Sequence, residues 1–484
     1  MRVTGHVACE KTEVDLVPLV VDVDGTLVKT DLLHETVLQF VAHHPFQLWR
    51  IPLWLIGGKS RLKRALSDRV NLDLSTIPLR EETLALIKAA KAEGRPVFLA
   101  SASEEGLVRK LADRIHGIEG VFGTDEAGNL AGAEKSKRLN ATFGEGRYDY
   151  VGDRQIDFAV WPSARQVFAV SHSPRFSDRL RQSYPDATII AEGTIRAEPY
   201  LRALRLHQWA KNALVFLSMI VGHHFEVETI QATVLAFLCF CFAASGAYIT
   251  NDLLDLPADR DHHRKHTRPF AAGDIPIAHG VTLSLLLLLS SLTASLLLPG
   301  RFTAILLLYV ACTFAYSFVL KRRLLIDVVA LGGLYTIRVL GGIAAAASTY
   351  SPWLLMFCLL LFLSLAIVKR CSELVARRNL GKAASLGRSY QVEDLNILLP
   401  LGAAAGYGAA LVVMLYLSSP EVRVLYAHPT RMWLICPLVL YWISRMLMLS
   451  NRGELHDDPV VFALMDRTTW FMGVIAAGII AVSI

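Results

Sequence analysis

From about Arg202 onward the chain carries one apolar run after another near the length a bilayer demands, while up to about Pro199 charged and apolar residues alternate at short range. That asymmetry constrains the fold more than any motif. A chain crossing hydrocarbon must satisfy its backbone polar groups internally, so it forms helices or a closed barrel. Runs such as Ile230 to Ile249 and Trp353 to Val368 have helical length, roughly 20 residues. Candidate spans begin near Ala213, Ile230, His279, Thr303, Leu325, Pro352, Leu398, Met432 and Trp470. The expected C-terminal part, residues 196–484, is therefore an all-α transmembrane bundle of about nine helices. A composition of 53% hydrophobic and 19% charged residues would suit a large soluble enzyme only if it were evenly spread.

The connections between these runs alternate in charge. Arg and Lys crowd around Arg264, Lys321, Arg377 and Arg452 and are nearly absent around Glu226, Gly300 and Ser348. By the positive-inside rule the N-terminal part is expected in the cytoplasm, below a bacterial-type inner membrane. Met1 to Asp15 lacks the apolar core of a cleavable signal. The seven cysteines form no CxxC or Cys/His cluster, so reduced thiols are expected. The net charge of +6 suits anionic lipid heads or phosphorylated substrates, and no nucleic-acid module is visible. No sequence feature fixes an oligomeric state.

In the N-terminal part, residues 1–195, Leu16 to Val23 is a β-branched run that closes in Asp22-Val23-Asp24-Gly25-Thr26. It predicts a buried parallel strand delivering carboxylates to its C-terminal edge. Pro96 to Ala100, followed by Ser101, and Tyr148 to Val151, followed by Gly152-Asp153, repeat the shape. Three strand ends should then meet in one crevice of a doubly wound sheet.

These residues resemble the haloacid dehalogenase (HAD) phosphatase superfamily over roughly Val14 to Glu192, with Ser101, Lys135 and Gly152-Asp153-Arg154-Gln155-Ile156-Asp157 following in the family's order. The resemblance implies an α/β Rossmann-like domain with a small helical cap at about residues 30–80. It makes Asp22 the nucleophile and Asp24 the acid and base. A Mg²⁺ site is implied from Asp153, Asp157, Asp22 and the main chain at Asp24. Mg²⁺, Ser101 and Lys135 would neutralise the incoming phosphate, which the nucleophilic carboxylate otherwise repels. Lys137 competes with Lys135, which is preferred because it stands four residues before Leu139. Within the cap, Pro45 to Gly58 is strongly apolar and is followed by Arg61, Lys63 and Arg64. It is too short to span, and either packs in the cap core or lies in the membrane interface.

In the C-terminal part, Asn251-Asp252-Leu253-Leu254-Asp255 ends an apolar helix and Asp259 follows. On one continuous helix, Asp252, Asp255 and Asp259 would share a face and could share a divalent ion. At mid-bilayer each would cost some ~2.5 to 3.5 kcal/mol, so a compensating cation is expected. His262, Arg264, Lys265 and Arg268 come next, and carboxylates holding Mg²⁺ beside such cations suit a diphosphate. Arg338, buried in an apolar span, reads either as a structural counter-ion or as part of a polar cavity.

From Arg202 to Ile484 the chain resembles the UbiA prenyltransferase superfamily. The Leu206-His207-Gln208-Trp209-Ala210-Lys211-Asn212 stretch, the NDxxDxxxDxxH pattern with Lys265 and Arg268-Pro269, and Tyr316-Ser317 with Lys321 and Asp327 are similar to its polyprenyl-phosphate phosphoribosyltransferase branch. Where aromatic prenyltransferases carry a second aspartate motif, this chain reads Lys369-Arg370-Cys371-Ser372-Glu373, with Arg388-Ser389-Tyr390 after it. Cations there suit a further phosphate rather than a second metal. The resemblance implies Asp252, Asp255 and Asp259 at the metal. It implies Lys211, Asn251, His262, Lys265, Arg268, Tyr316, Lys321, Lys369, Arg370 and Glu373 at the substrates, polyprenyl phosphate and phosphoribosyl pyrophosphate. The expected enzyme makes polyprenylphosphoryl-5-phosphoribose, and its phosphatase part removes the 5-phosphate. The alternatives are an aromatic prenyltransferase of quinone or haem biosynthesis with an accessory phosphatase, and a lipid-binding or transport scaffold.

Overall fold

The computed structural model describes residues 16–483 except 126–127, 193–195, 263, 349, 380–388, 421, 423–425 and 456–457. Of the residues named above, Met1 to Asp15, Arg388 and Ile484 lie outside the described residues. The chain forms two compact units, one of residues 1–200 and 252–280, the other of residues 201–251 and 281–484. The acidic segment thus folds with the N-terminal unit.

The first unit is built on a six-stranded sheet of β1 (Leu19–Asp22), β2 (Val97–Glu104), β3 (Gly120–Thr124), β4 (Asp149–Gly152), β5 (Val167–Ser171) and β6 (Thr188–Glu192). Every pairing is parallel and the order is β3-β2-β1-β4-β5-β6. The three strands expected from the sequence are β1, β2 and β4. Both faces of β1 are buried because successive side chains alternate. Leu19 and Val21 join one core with Leu99, Val108 and Leu111, and Val20 joins the other with Tyr148, Tyr150 and Trp161. The strand order reverses between β1 and β4, which opens a crevice at their C-terminal ends.

Between β1 and β2 lies a helical cap of α1 (Leu32–His43), α2 (Arg50–Ile56) and α3 (Lys59–Ser67). Asp31 caps α1, its Oδ1 accepting from the amides of Leu33 at 3.0 Å and His34 at 3.3 Å. Phe40, Leu62, Leu66 and Val70 form the cap's own small core, against which Ile51 and Trp54 pack. Below the cap, α4 (Ala133–Phe143) follows β3.

Among the described residues seven helices are long and apolar enough to cross a membrane. They are Val227–Leu254 (α5), Ile277–Ser295, Gly300–Phe318, Ile326–Ala345 (α7), Pro352–Asn379 (α8), Val392–Leu417 and Pro429–Arg452. The short α6 (Leu256–Asp261) follows α5. The pair Pro459–Met465 and Arg467–Ser483, bent by 74°, would make an eighth span if counted as one.

About nine helices is therefore a correction, and both ends of the series account for it. The run from Ala213 is interrupted at Gly222-His223-His224, so it folds as 3-10 turns over Leu206–Phe216 and a short helix, Leu217–Val221. The run from Trp470 belongs to a broken pair because Asp466 sits at the bend. Its carboxylate accepts from the Thr469 amide at 2.9 Å and pairs with Arg445 at 2.7 Å. Close packing in the second unit depends on Gly342, where an added Cβ would lie 2.0 Å from the Val215 carbonyl oxygen.

Candidate active sites

The sheet crevice gathers Asp22 from β1, Ser101 and Ser103 from β2, Lys135 from α4, and Asp153 and Asp157 after β4. Lys135 Nζ lies 2.6 Å from Asp22 Oδ1 and donates to Tyr150 Oη at 3.0 Å. Tyr150 in turn donates to Asp157 Oδ1 at 2.8 Å, while Asp157 Oδ2 accepts from the amides of Asp153 and Arg154 at 3.1 and 3.0 Å. Lys137 points away, exposed, 3.6 Å from Glu134. Gly25, at φ +84, can only be glycine, since a Cβ there would meet Asp153 Oδ2 at 2.1 Å.

Carboxylate oxygens of Asp22, Asp153 and Asp157 lie within 4.8 Å of one another, all three residues buried. Asp153 Oδ1 is buried with no hydrogen-bond partner. Burial pushes the Asp22 carboxyl well above the usual carboxylate range, with Lys135 pulling it down and the neighbouring acids pushing it up. Burial raises Asp157 as well. Three clustered carboxylates, one of them with an orphaned oxygen, are the donor set a hard divalent cation such as Mg²⁺ takes. The residues fit that ion.

Asp24 stands apart from this cluster. Its Oδ1 accepts from the Leu32 amide at 2.8 Å, and its Oδ2 accepts from Ser101 Oγ and Ser103 Oγ, both at 2.8 Å. Burial, then the nearby Asp31, raises its pKa, while the hydrogen bonds from Leu32, Ser101 and Ser103 oppose that shift. Ser101 thus holds Asp24 in this structure.

The acidic segment after α5 does not form one continuous helix, which corrects the expected shared face. Pro257 has no amide to bond back along the helix, so α5 ends at Leu254, Asp255 becomes the residue before α6, and the helix restarts. Asp252 and Asp259, both buried, nonetheless meet on one nitrogen, because Arg268 Nη1 lies 3.0 Å from Asp252 Oδ1 and 2.5 Å from Asp259 Oδ2. Lys265 Nζ stands 3.8 Å from Asp259, and His262 Nδ1 accepts from the Arg264 amide at 3.2 Å. Burial raises the Asp259 carboxyl, with Arg268 opposing. Asp255 is half-buried at the break.

The segment is anchored by the residue next to Asp259. Arg260 forms a two-nitrogen pair with Glu35 of α1 at 2.6 and 3.2 Å, and both side chains are buried. Glu35 also accepts from Thr30 Oγ1 at 2.8 Å, and Arg260 Nε donates to the Ala271 carbonyl at 3.2 Å.

In the second unit three sets of cations sit among the helices, with Lys211, Arg338 and Arg370 buried and Lys369 half-buried. Asp458 Oδ2 receives Lys211 Nζ at 2.8 Å and Lys369 Nζ at 2.7 Å, and Asp458 Oδ1 accepts from Tyr335 Oη at 2.9 Å. On α8, one residue on, Arg370 bonds Asp327 at 2.6 Å, Glu373 at 2.7 Å and Tyr316 Oη at 3.0 Å. Tyr390 Oη closes onto the other oxygen of Asp327. Arg338 of α7 donates to Asn212 Oδ1 and Tyr309 Oη, each at 2.8 Å, and to the Leu334 carbonyl at 2.6 Å. Asn251 at the end of the span and Lys321 are half-buried.

Sequence reasoning passed over Asp458, Ser103, Tyr150, Glu35 and Arg260. Asp458 carries a local signal, an aspartate before Pro459 that caps the next helix through the Val460 amide at 3.2 Å. The others carry none, since their roles come from distant partners.

The model of the UbiA prenyltransferase family matches residues 213–472. The uncharacterized protein y4nM of Sinorhizobium fredii is 36% identical over 466 residues, covering 95% of this chain and 90% of its own length. Nodulation protein NoeC of Azorhizobium caulinodans is 34% identical over 274 residues, 56% of this chain and 88% of NoeC. The decaprenyl-phosphate phosphoribosyltransferase of Mycobacterium tuberculosis is 31% identical over 274 residues, 55% of this chain and 88% of that enzyme. Spanning helices, a family model covering more than half of the sequence and relatives matched over most of their length agree: this multi-pass membrane chain belongs to the UbiA prenyltransferase family.

Proposed function

We propose that the chain is a polyprenyl-phosphate phosphoribosyltransferase whose N-terminal unit is a HAD-type phosphatase acting on the transferase product. The observation that carries the transferase reading is the cation pair on α8: where aromatic prenyltransferases have acids, Arg370 is buried and Lys369 half-buried, and they are held by Asp458, Asp327 and Glu373. Such a pair is suited to an additional phosphate group, and a substrate phosphate can take over the hydrogen bonds that carboxylates now occupy. The name of the mycobacterial relative supports the same reading.

In this reaction a phosphate oxygen of the lipid attacks the anomeric carbon of phosphoribosyl pyrophosphate. The bond from that carbon to the diphosphate oxygen breaks, and diphosphate leaves. Asp252 and Asp259, with Asp255 at the helix break, would hold Mg²⁺, which would supply charge neutralisation on the departing diphosphate. Arg268 and Lys265, poised on those carboxylates, bind the diphosphate oxygens, with His262 beside them. In the second unit, Asn251, Lys211, Tyr316 and Lys321 are assigned to substrate binding by the family resemblance.

The phosphatase step follows from the crevice. Asp22 attacks the 5-phosphate of the lipid-linked ribose, and Asp24 gives its proton to the leaving alkoxide. Water then attacks the aspartyl phosphate, returning its proton to Asp24 and releasing inorganic phosphate. Asp22, Asp153 and Asp157 would hold Mg²⁺, which offsets repulsion between the nucleophile and the phosphate. Lys135 orients Asp22 through its 2.6 Å contact and reduces the local negative charge. Hydrolysis, together with diphosphate loss, draws a reversible transfer forward. The expected setting is the cytoplasmic face of a bacterial-type inner membrane.

Membranes containing the chain are incubated with polyprenyl phosphate, Mg²⁺ and labelled phosphoribosyl pyrophosphate. Wild type should place label in a dephosphorylated lipid, Asp22→Asn in a more anionic one, and Asp252→Asn in none. Label absent from lipid in the wild type refutes the transferase, and identical lipids from wild type and Asp22→Asn refute the coupled phosphatase.

A further inference from the structure

The cap carries a second, unexplained apolar surface. Helix α2 is apolar on both faces: Ile51 and Trp54 pack on the cap core, but Leu53, Leu55 and Ile56 face outward. The turn before it adds Phe46 and Trp49. Phe46 is 87% exposed, Ile56 83% and Trp49 60%. A water-facing helix keeps one polar face, and scattered exposed apolar residues are ordinary, but several large ones within a dozen consecutive residues are not.

The charge around this patch identifies what covers it. From Pro45 to Ser67 the sequence contains no acidic residue. Arg50 lies over the Trp49 ring at 5.3 Å, and Lys59, Arg61 and Arg64 are exposed on α3 directly after the patch. Lys63, by contrast, turns inward to the Ala102 carbonyl at 2.5 Å and Asn129 Oδ1 at 2.7 Å. A second copy docking patch to patch would bring the same basic rims face to face. A bilayer surface rich in anionic headgroups satisfies both components, apolar side chains below the headgroups and cations among them. The same polypeptide spans a membrane, so that surface is always within tether reach.

We infer that Phe46, Trp49, Leu53 and Ile56, ringed by Arg50, Lys59, Arg61 and Arg64, form a membrane-docking surface that lies in the interface of an anionic leaflet. The segment is too short to cross, so it inserts only to the headgroup and acyl boundary. Because α3 of the same cap reaches the sheet crevice through Lys63, docking also fixes the crevice near lipid headgroups. The docking surface stands whether or not Asp22 is a phosphatase nucleophile.

The test uses the full chain in nanodiscs of phosphatidylcholine alone or mixed with phosphatidylglycerol, with acyl chains unlabelled or brominated. Subtracting the fluorescence of Trp49→Phe from that of wild type isolates Trp49. The expected component is blue-shifted, loses most of its intensity to brominated lipid and is protected from aqueous iodide, more so with phosphatidylglycerol. Phe46→Glu with Ile56→Glu replaces side chains that are already exposed, so the fold is retained. It should abolish lipid quenching of Trp49 and raise amide exchange across residues 45–58, with exchange in the spanning helices unchanged. A water-like, iodide-sensitive Trp49 overturns the proposal. So does protection from both quenchers, which assigns the patch to a protein partner, and so does quenching that ignores phosphatidylglycerol.

Discussion

The two acidic centres of the first unit are assembled in opposite ways. At the sheet crevice, Asp22 at the end of β1 and Asp153 and Asp157 after β4 stand within 4.8 Å, braced by Lys135, Tyr150 and backbone amides. Where α5 gives way to α6, Asp252 and Asp259 meet on the guanidinium of Arg268. The crevice is preorganised by a rigid sheet, and one of its oxygens is left without a partner. In the helical segment the Arg268 guanidinium already pairs with the carboxylates. A metal at the crevice would therefore add an interaction, whereas one shared by Asp252 and Asp259 would compete with Arg268.

The largest expected effect separates the two chemically. Asp22→Asn removes the proposed nucleophile, so turnover of a phosphate monoester should fall by on the order of 10⁴-fold, as for a nucleophile in a concerted site. Phosphoribosyl transfer to lipid, measured on the same preparation, should be unchanged. Transfer falling in step with phosphatase turnover would mean that the centres are not separate.

Next in size is the tie between them. Glu35→Gln strands the buried Arg260 guanidinium without a counter-ion, and breaking a buried pair in this way costs about 3–5 kcal/mol. The loss should appear as a lower unfolding midpoint and faster amide exchange in both α1 and residues 256–271. Adding Arg260→Met to Glu35→Gln should recover a large part of it, since a neutral pair no longer strands a charge. Should the double variant be as unstable as the single one, the buried charge is not the cause.

The centres also differ in how far the sequence revealed them. β1, β2 and β4 were readable because buried parallel strands are β-branched runs, and Asp22, Asp24 and Asp153 stand where those runs end. Seven of the spans were readable because helix length against hydrocarbon is a one-dimensional property. The helical triad was readable as a motif but not as a shape, because Pro257 breaks the helix that its spacing assumes. Glu35 with Arg260, separated by 225 residues, and Asp458 with Lys211, separated by 247, were invisible. A lone charged residue has the same appearance whether it is solvated or paired across the fold. Ser101 was legible as a residue, but its bond to Asp24 was not.

A smaller effect tests the displacement argument. Arg268→Lys keeps a positive charge but loses the planar fork and the single nitrogen that serves both carboxylates. The expected result is a split: the KM for phosphoribosyl pyrophosphate rises about tenfold, equivalent to ~1.4 kcal/mol, while less Mg²⁺ is needed for half-maximal transfer. A higher Mg²⁺ requirement would show that Arg268 supports the metal rather than competing with it.

The smallest predicted effect concerns two lysines only two positions apart. On α4 a step of two residues turns through more than half a circle, so Lys135 faces the crevice while Lys137 faces solvent beside Glu134. Lys137→Ala should change stability by no more than about 0.5 kcal/mol and leave phosphatase turnover at the wild-type level. Lys135→Ala should lower turnover steeply and shift the Mg²⁺ dependence, because it leaves three carboxylates with no ammonium among them. Equal behaviour of the two variants would mean that the ammonium against Asp22 is a packing feature. The contrast in preorganisation between the centres would then rest on the carboxylates alone.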